Sequence, residues 1–175
     1  MKTIVIYKSK YGSTKTYAEW IAKELSCDAV DVSHVGINDL MEYDTIIYGG
    51  GLYAEVIAGV TLITKNIDKL KNKKLIVFTT GLTPPDCRGY YDDLVVKKNF
   101  KGDIYSKIKM FNYPGKMIVS ELSFVHKSAI KTLKKIMSDK KEPTEMERLL
   151  IELCDADGDF SDKSLISELV EYARC

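Results

Sequence analysis

Three short stretches of this sequence hold residue types suited to binding a small charged molecule with a flat ring. The first is Ser9-Lys10-Tyr11-Gly12-Ser13-Thr14. It lies between the apolar run Ile4-Val5-Ile6-Tyr7 and a set of residues at helical spacing, Tyr17, Ala18, Ile21, Ala22 and Leu25. A strand, a polar loop and a helix in that order put the loop at a helix N-terminus. Unpaired amides and the positive end of the helix dipole suit a phosphate there. Gly12 lets the backbone turn and approach closely, Ser9, Ser13 and Thr14 offer hydroxyl donors, and Lys10 or Lys15 adds charge. The plainer alternative is that Ser13 or Thr14 only caps the helix. The loop matches neither G-x-x-x-x-G-K-[ST] nor G-x-G-x-x-G, which argues against a nucleoside triphosphatase and against a dinucleotide site of that kind. Hydroxyls without metal-binding residues suit a phosphomonoester that is bound and not cleaved.

The second stretch is Gly49-Gly50-Gly51-Leu52-Tyr53. Three glycines clear side chains from a place where a flat ligand can lie against the backbone, and Tyr53 supplies a ring for stacking. The alternative is a bulge with an ordinary surface tyrosine. The third stretch, Thr80-Gly81-Leu82-Thr83-Pro84-Pro85-Asp86, is placed to form the opposite wall. Cys87 follows it and reads as incidental. The four cysteines form no C-x-x-C pair, and the two histidines, His34 and His126, are far apart, so no metal site is expected.

These loops need a scaffold that brings them to one place. Thr3–Lys8 reads as a strand buried on both faces, and Ala29–Val32 as a second. Thr45-Ile46-Ile47-Tyr48 is a third, running into the glycines; Leu75–Phe78 a fourth, ending at Thr79-Thr80-Gly81; and Ile108–Phe111 a fifth. Between them lie the first helix, a helical turn at Asn38–Glu42, and a long second helix marked by Val56, Ile57, Val60, Ile63, Ile67 and Leu70. Another helix is read at Tyr90–Asn99, beyond the break at Pro84-Pro85. Ala129, Ile130, Leu133, Ile136 and Met137 mark a further amphipathic helix. Thr144 with Glu147 forms a capping box ahead of Leu149, Leu150 and Leu153, and Leu165, Ile166, Leu169 and Val170 suggest a last helix. Strands alternating with helices predict an α/β doubly wound fold, a three-layer sandwich on a five-stranded parallel sheet in order 2-1-3-4-5. In such a sheet ligands bind at the carboxyl ends of the strands, where all three loops fall. One domain over 1–175 is expected, with a core at 1–143 and a helical C-terminal extension at 144–175.

Composition bounds the function. The 175 residues are 45% hydrophobic and 29% charged, with only 4 prolines, which fits one globular domain. Twenty-six basic and 25 acidic residues leave a formal charge of +1, without the basic excess of a nucleic-acid binder. No apolar run reaches the roughly 18–20 residues of a membrane span, and Met1-Lys2-Thr3 does not open a secretory signal. Dispersed thiols without such a signal predict a reduced, cytoplasmic setting.

Tyr7-Lys8-Ser9-Lys10-Tyr11-Gly12-Ser13-Thr14 resembles the FMN phosphate loop of the flavodoxin-like family. Ala18-Glu19-Trp20-Ile21-Ala22, Ile47–Ala54, Phe78–Pro85, Phe111–Lys116, Leu122-Ser123 and Gly158–Asp162 are similar to blocks of one branch, that of flavodoxin-fold protoporphyrinogen dehydrogenase. The resemblance implies bound FMN, with the chemistry at the flavin and no catalytic side chain assigned. It places Ser9, Lys10, Tyr11, Gly12, Ser13 and Thr14 at the phosphate. Gly50, Gly51, Leu52 and Tyr53 fall on one side of the ring, and Thr80, Gly81, Leu82 and Asp86 on the other. It implies an FMN-dependent oxidoreductase acting on a quinone, a porphyrinogen or a similar small redox substrate; the alternative is a small electron carrier serving a redox partner protein. Two departures bear on that choice. Glu55 stands where the branch pattern has Gly, and Ala54 follows the loop aromatic, where carriers often have Gly; Ala54 is expected to resist a positive φ.

Overall fold

The computed structural model describes residues 2–175. In chain order its elements are β1 (Thr3–Lys8), α1 (Ser13–Leu25), β2 (Asp28–Asp31), α2 (Ile37–Leu40), β3 (Thr45–Tyr53), β4 (Val56–Ile57), α3 (Thr61–Thr64), β5 (Lys74–Gly81), α4 (Val96–Asn99), β6 (Ile108–Pro114), β7 (Lys116–Met117), α5 (Phe124–Ser138), α6 (Glu145–Leu153), β8 (Gly158–Asp159) and α7 (Ser167–Arg174). A π-helical segment, Gly89–Val95, leads into α4. The main sheet runs β2-β1-β3-β5-β6 with every neighbouring pair parallel. Counting only those five strands, this is the order 2-1-3-4-5. β4 is an addition, folded back antiparallel on the end of β3.

Alternation along the strands divides the core. Ile4, Ile6, Ile46, Tyr48, Leu75 and Val77 face one side, with Leu40, Ile63, Leu70, Tyr91 and Val95 over them. Val5, Ile47, Ile76 and Phe78 face the other, under Tyr17 and Ile21 of α1 and Leu169, Val170 and Ala173 of α7. That pattern is the flavodoxin-like three-layer sandwich, with strands buried on both faces. The carboxyl ends of β1, β3, β5 and β6 all open on one edge.

Two sequence expectations change. The long helix read over Val56–Leu70 is absent. Val56 and Ile57 pair with Tyr53 and Leu52 as β4, Gly59 turns at φ +73°, and only Thr61–Thr64 is α-helical. The apolar spacing there is real, but it serves turns packed on the sheet: Ile57, Val60, Ile63, Ile67 and Leu70 are all buried. The stretch from 144 onward also divides in two. α7 covers the sheet and belongs to the core. α6 instead pairs with α5 as an excursion closed at its base by the β7–β8 ladder, Lys116 opposite Asp159 and Met117 opposite Gly158. In α5 only Met137 is buried, and in α6 no residue is.

Candidate functional site

At the carboxyl edge lies a cavity of about 930 Å³, toward the upper end of the range for a bound small molecule. Its walls include Ser9, Tyr11, Ser13 and Thr14 from the first loop, Gly51, Leu52 and Tyr53 from β3, and Thr80, Gly81 and Leu82 from β5 and its loop. The three stretches singled out in the sequence therefore meet. Lys10, Gly12, Gly50 and Asp86 do not line the cavity.

The first loop builds the polar end. Gly12, the residue before α1, has φ +98°, a conformation an L side chain rarely adopts. Among the described residues no side chain caps this helix, so Ser13 and Thr14 are not acting as caps and the first amides are left for a ligand. Ser9 Oγ accepts from the Gly12 amide at 3.1 Å and keeps its own proton to donate. Ser13 Oγ likewise accepts from the Lys116 amide at 2.9 Å. Thr14 Oγ1 and Thr80 Oγ1 lie 2.7 Å apart, both buried. One proton bridges that pair and the other is free, so together they present one donor.

Lys116 was not anticipated. Its Nζ lies beside Gly12, where an added Cβ would be 3.7 Å from it, and it pairs with Glu121 at 3.2 Å. Among the described residues lining the cavity it is the only Lys, Arg, Asp or Glu. Its position just after β6, in Pro114-Gly115-Lys116, was the signal available. His126 was also unexpected. Its Nδ1 is 2.7 Å from the Tyr11 hydroxyl and its Nε2 is 3.5 Å from Lys10 Nζ. An ammonium can only donate, so Nε2 accepts and the ring proton sits on Nδ1, directed at Tyr11. The Tyr11 oxygen also accepts from the Ser123 amide at 3.3 Å. Burial, and then the charge of Lys10, hold His126 below its ordinary pKa. Burial alone would raise the Tyr11 phenol, but hydrogen bonding to Ser123 and the Lys10 charge bring it below its ordinary value.

The ring end is apolar. α5 turns Val125, Ala129, Leu133 and Ile136 toward the cavity and roofs it. Read as sequence, this apolar stripe marked an amphipathic helix and did not say what it faces. Across from it stand Leu82, Thr83 and Tyr90, the last on the π-helical segment. Tyr91 of that segment donates to the Thr83 carbonyl at 2.8 Å and fixes this wall.

The glycines also have a packing role. A Cβ on Gly49 would run into the Phe78 ring, and one on Gly50 into Ile57 Cγ2 and, at 2.9 Å, the Ala58 carbonyl. Gly51 does line the cavity, but a Cβ there would meet the Tyr53 ring at 3.1 Å. All three make room for the protein's own side chains. Tyr53 lies back on Gly51, 5.2 Å from the His126 ring centroid and 6.4 Å from that of Tyr11. Burial pushes its phenol up to about 12. Ala54, expected to resist positive φ, adopts +47°, and Glu55 adopts +60°. Such backbone in non-glycine residues costs on the order of 1–3 kcal/mol each.

Among the described residues no group of acidic, His and Cys side chains could hold a metal ion, and no helix is long and apolar enough to cross a membrane. The family model described as flavodoxin domain matches residues 4–144, so the chain belongs to the flavodoxin domain family. An uncharacterized protein of Methanocaldococcus jannaschii is 31% identical over 105 residues, 58% of this chain and 69% of its own length. Among solved structures, a flavodoxin from the domain Archaea aligns over 100% of both chains at 15% identity and a TM-score of 0.45. Two-electron reduced flavodoxin of Megasphaera elsdenii aligns over 63% of this chain and 84% of its own, at 16% identity and a TM-score of 0.43. Rubredoxin oxygen:oxidoreductase of Desulfovibrio gigas aligns over 99% of this chain and 37% of its own, at 13% identity and a TM-score of 0.45.

Proposed function

We propose that this member of the flavodoxin domain family binds FMN in the cavity and is an oxidoreductase acting on a small redox substrate, a quinone, a porphyrinogen or a similar compound. The observation that carries FMN is the polarity of the cavity. An uncapped helix N-terminus with hydroxyls and Lys116 stands at one end. An apolar slot, with no other Lys, Arg, Asp or Glu among the described residues lining it, forms the rest. A phosphate fits the first and a flat apolar ring the second. The residues present therefore suit the group.

In this reading the amides of α1, with Ser9, Ser13 and the Thr14–Thr80 pair, hold the phosphate, and Lys10 and Lys116 offset its charge. Leu52 and Tyr53 on one side, Thr80, Gly81 and Leu82 on the other, hold the ring. α5 lies over the slot and lines it with apolar side chains. FMN, when bound, supplies one- and two-electron chemistry at its ring, and the chain orients it and sets its surroundings. The roof formed by α5 favours a small acceptor over a protein docked at the ring. A second reading, a small electron carrier serving a redox partner protein, gains from Ala54, whose positive φ removes one objection to it. A reduced, cytoplasmic setting accords with Cys27, Cys87, Cys154 and Cys175, all free thiols.

The test is chemical. Protein loaded with FMN and reduced should pass its electrons to small quinones with saturation in the quinone. Reoxidation only by partner proteins, at rates indifferent to small acceptors, would favour the carrier.

A further inference from the structure

We infer that Lys98 and Asn99 are positioning residues that fix the spacing of the ring slot by clamping the tip of the β3–β4 hairpin. The inference rests on the slot as the place of the flavin ring. Tyr53 pairs with Val56 across a two-residue turn, Ala54-Glu55, with both central residues left-handed. That turn type normally uses Asn-Gly or a similar pair, because side chains resist positive φ. Ala-Glu does not hold it unaided.

The support comes from α4. Lys98 Nζ donates to the Ala54 carbonyl at 2.8 Å and pairs with Glu55 Oε2 at 3.0 Å. Asn99 Nδ2 donates to the Glu55 carbonyl at 2.6 Å, and its Oδ1 accepts from the Ile57 amide at 2.8 Å. Two adjacent residues thus take both carbonyls of the turn, its one charged side chain and an amide of β4. The same helix continues the π-helical segment whose Tyr91 is bonded to Thr83 on the opposite wall. One rigid stretch therefore joins the two sides of the slot, and its grip on the hairpin sets how far apart they stand. The clamp residues themselves lie outside the cavity lining.

The experiment compares Lys98→Ala, Lys98→Arg and Lys98→Ala in an Ala54→Asn/Glu55→Gly background. Lys98 is half exposed, so these chains should fold. Flavin affinity is measured with FMN and with riboflavin, which shares the ring and lacks the phosphate. The turn itself is followed without ligand through the backbone and Cβ carbon shifts of residues 54 and 55. Lys98→Ala should weaken FMN and riboflavin by the same factor, five- to twentyfold, and remove the left-handed shift signature. Lys98→Arg should restore most of both. In the Asn-Gly background Lys98→Ala should cost less than twofold, since that turn holds itself. Unchanged shifts and affinities in Lys98→Ala, or an undiminished loss in the Asn-Gly background, would overturn the clamp. Failure of the wild type to bind either flavin would overturn the FMN reading, and the ligand-free shifts would still judge the clamp.

Discussion

At the scale of single residues, the polar end of the cavity carries the sharpest expectations. Lys116 sets its Nζ beside Gly12, 3.7 Å from where a Cβ would stand. Lys116→Ala should lower FMN affinity by about 1.5–3 kcal/mol, the worth of a hydrogen bond to a charged group, and leave riboflavin within twofold; equal losses for the two would place the phosphate elsewhere. Thr14→Ala should fall at the low end of that range, because Thr80 can then turn its hydroxyl to the ligand. His126 gives a pH dependence. Its folded pKa lies below its ordinary value of 6.5, so the unfolded chain binds protons more readily near that pH. The stability it contributes is present above about pH 6.5 and is lost as pH falls through the folded value. Melting temperature measured from pH 7.5 down to 5 should drop more in the wild type than in His126→Gln, which cannot take the proton. Parallel profiles would remove His126 as the source.

At the scale of elements, the glycine strand separates packing from binding. Gly49→Ala forces a Cβ into the Phe78 ring in the fully buried middle of the sheet. Overpacking of this kind costs about 1–3 kcal/mol, to be read as a lower denaturant midpoint with an unchanged slope; a wild-type midpoint would mean the strand can shift. The loops that meet at the cavity were legible because strand, polar loop and helix follow each other plainly at Ile4–Leu25. The sheet order followed from the same alternation. Three things were not legible. Val56–Leu70 has helical spacing, but hairpin pairing with β3 and the turn at Gly59 win over it. The stripe on α5 shows an amphipathic helix without its partner, because an apolar side chain lining a cavity has the same pattern as one touching a sheet. Ala54-Glu55 carries no turn signal, since its geometry is imposed by Lys98 and Asn99 more than 40 residues away.

At the scale of the whole molecule, the chain is a sandwich finished by its last helix, with an excursion set over the binding edge. The two parts should respond differently to mutation. Leu169 of α7 is fully buried, while Leu133 of α5 is 46% exposed. Leu169→Ala should cost about 2–5 kcal/mol, and Leu133→Ala less than about 1 kcal/mol, both from urea unfolding. Similar costs would mean that α5 belongs to the folding core. Near-neutral net charge leaves long-range steering of a charged partner weak. The central claim is that the edge cavity holds FMN by its phosphate. Titration of the wild-type protein into FMN and into riboflavin, followed by flavin fluorescence, tests it most directly. Saturable one-to-one quenching of FMN, at least tenfold tighter than that of riboflavin, is the predicted result. Fluorescence unaltered by the protein, or equal affinity for the two flavins, would contradict it.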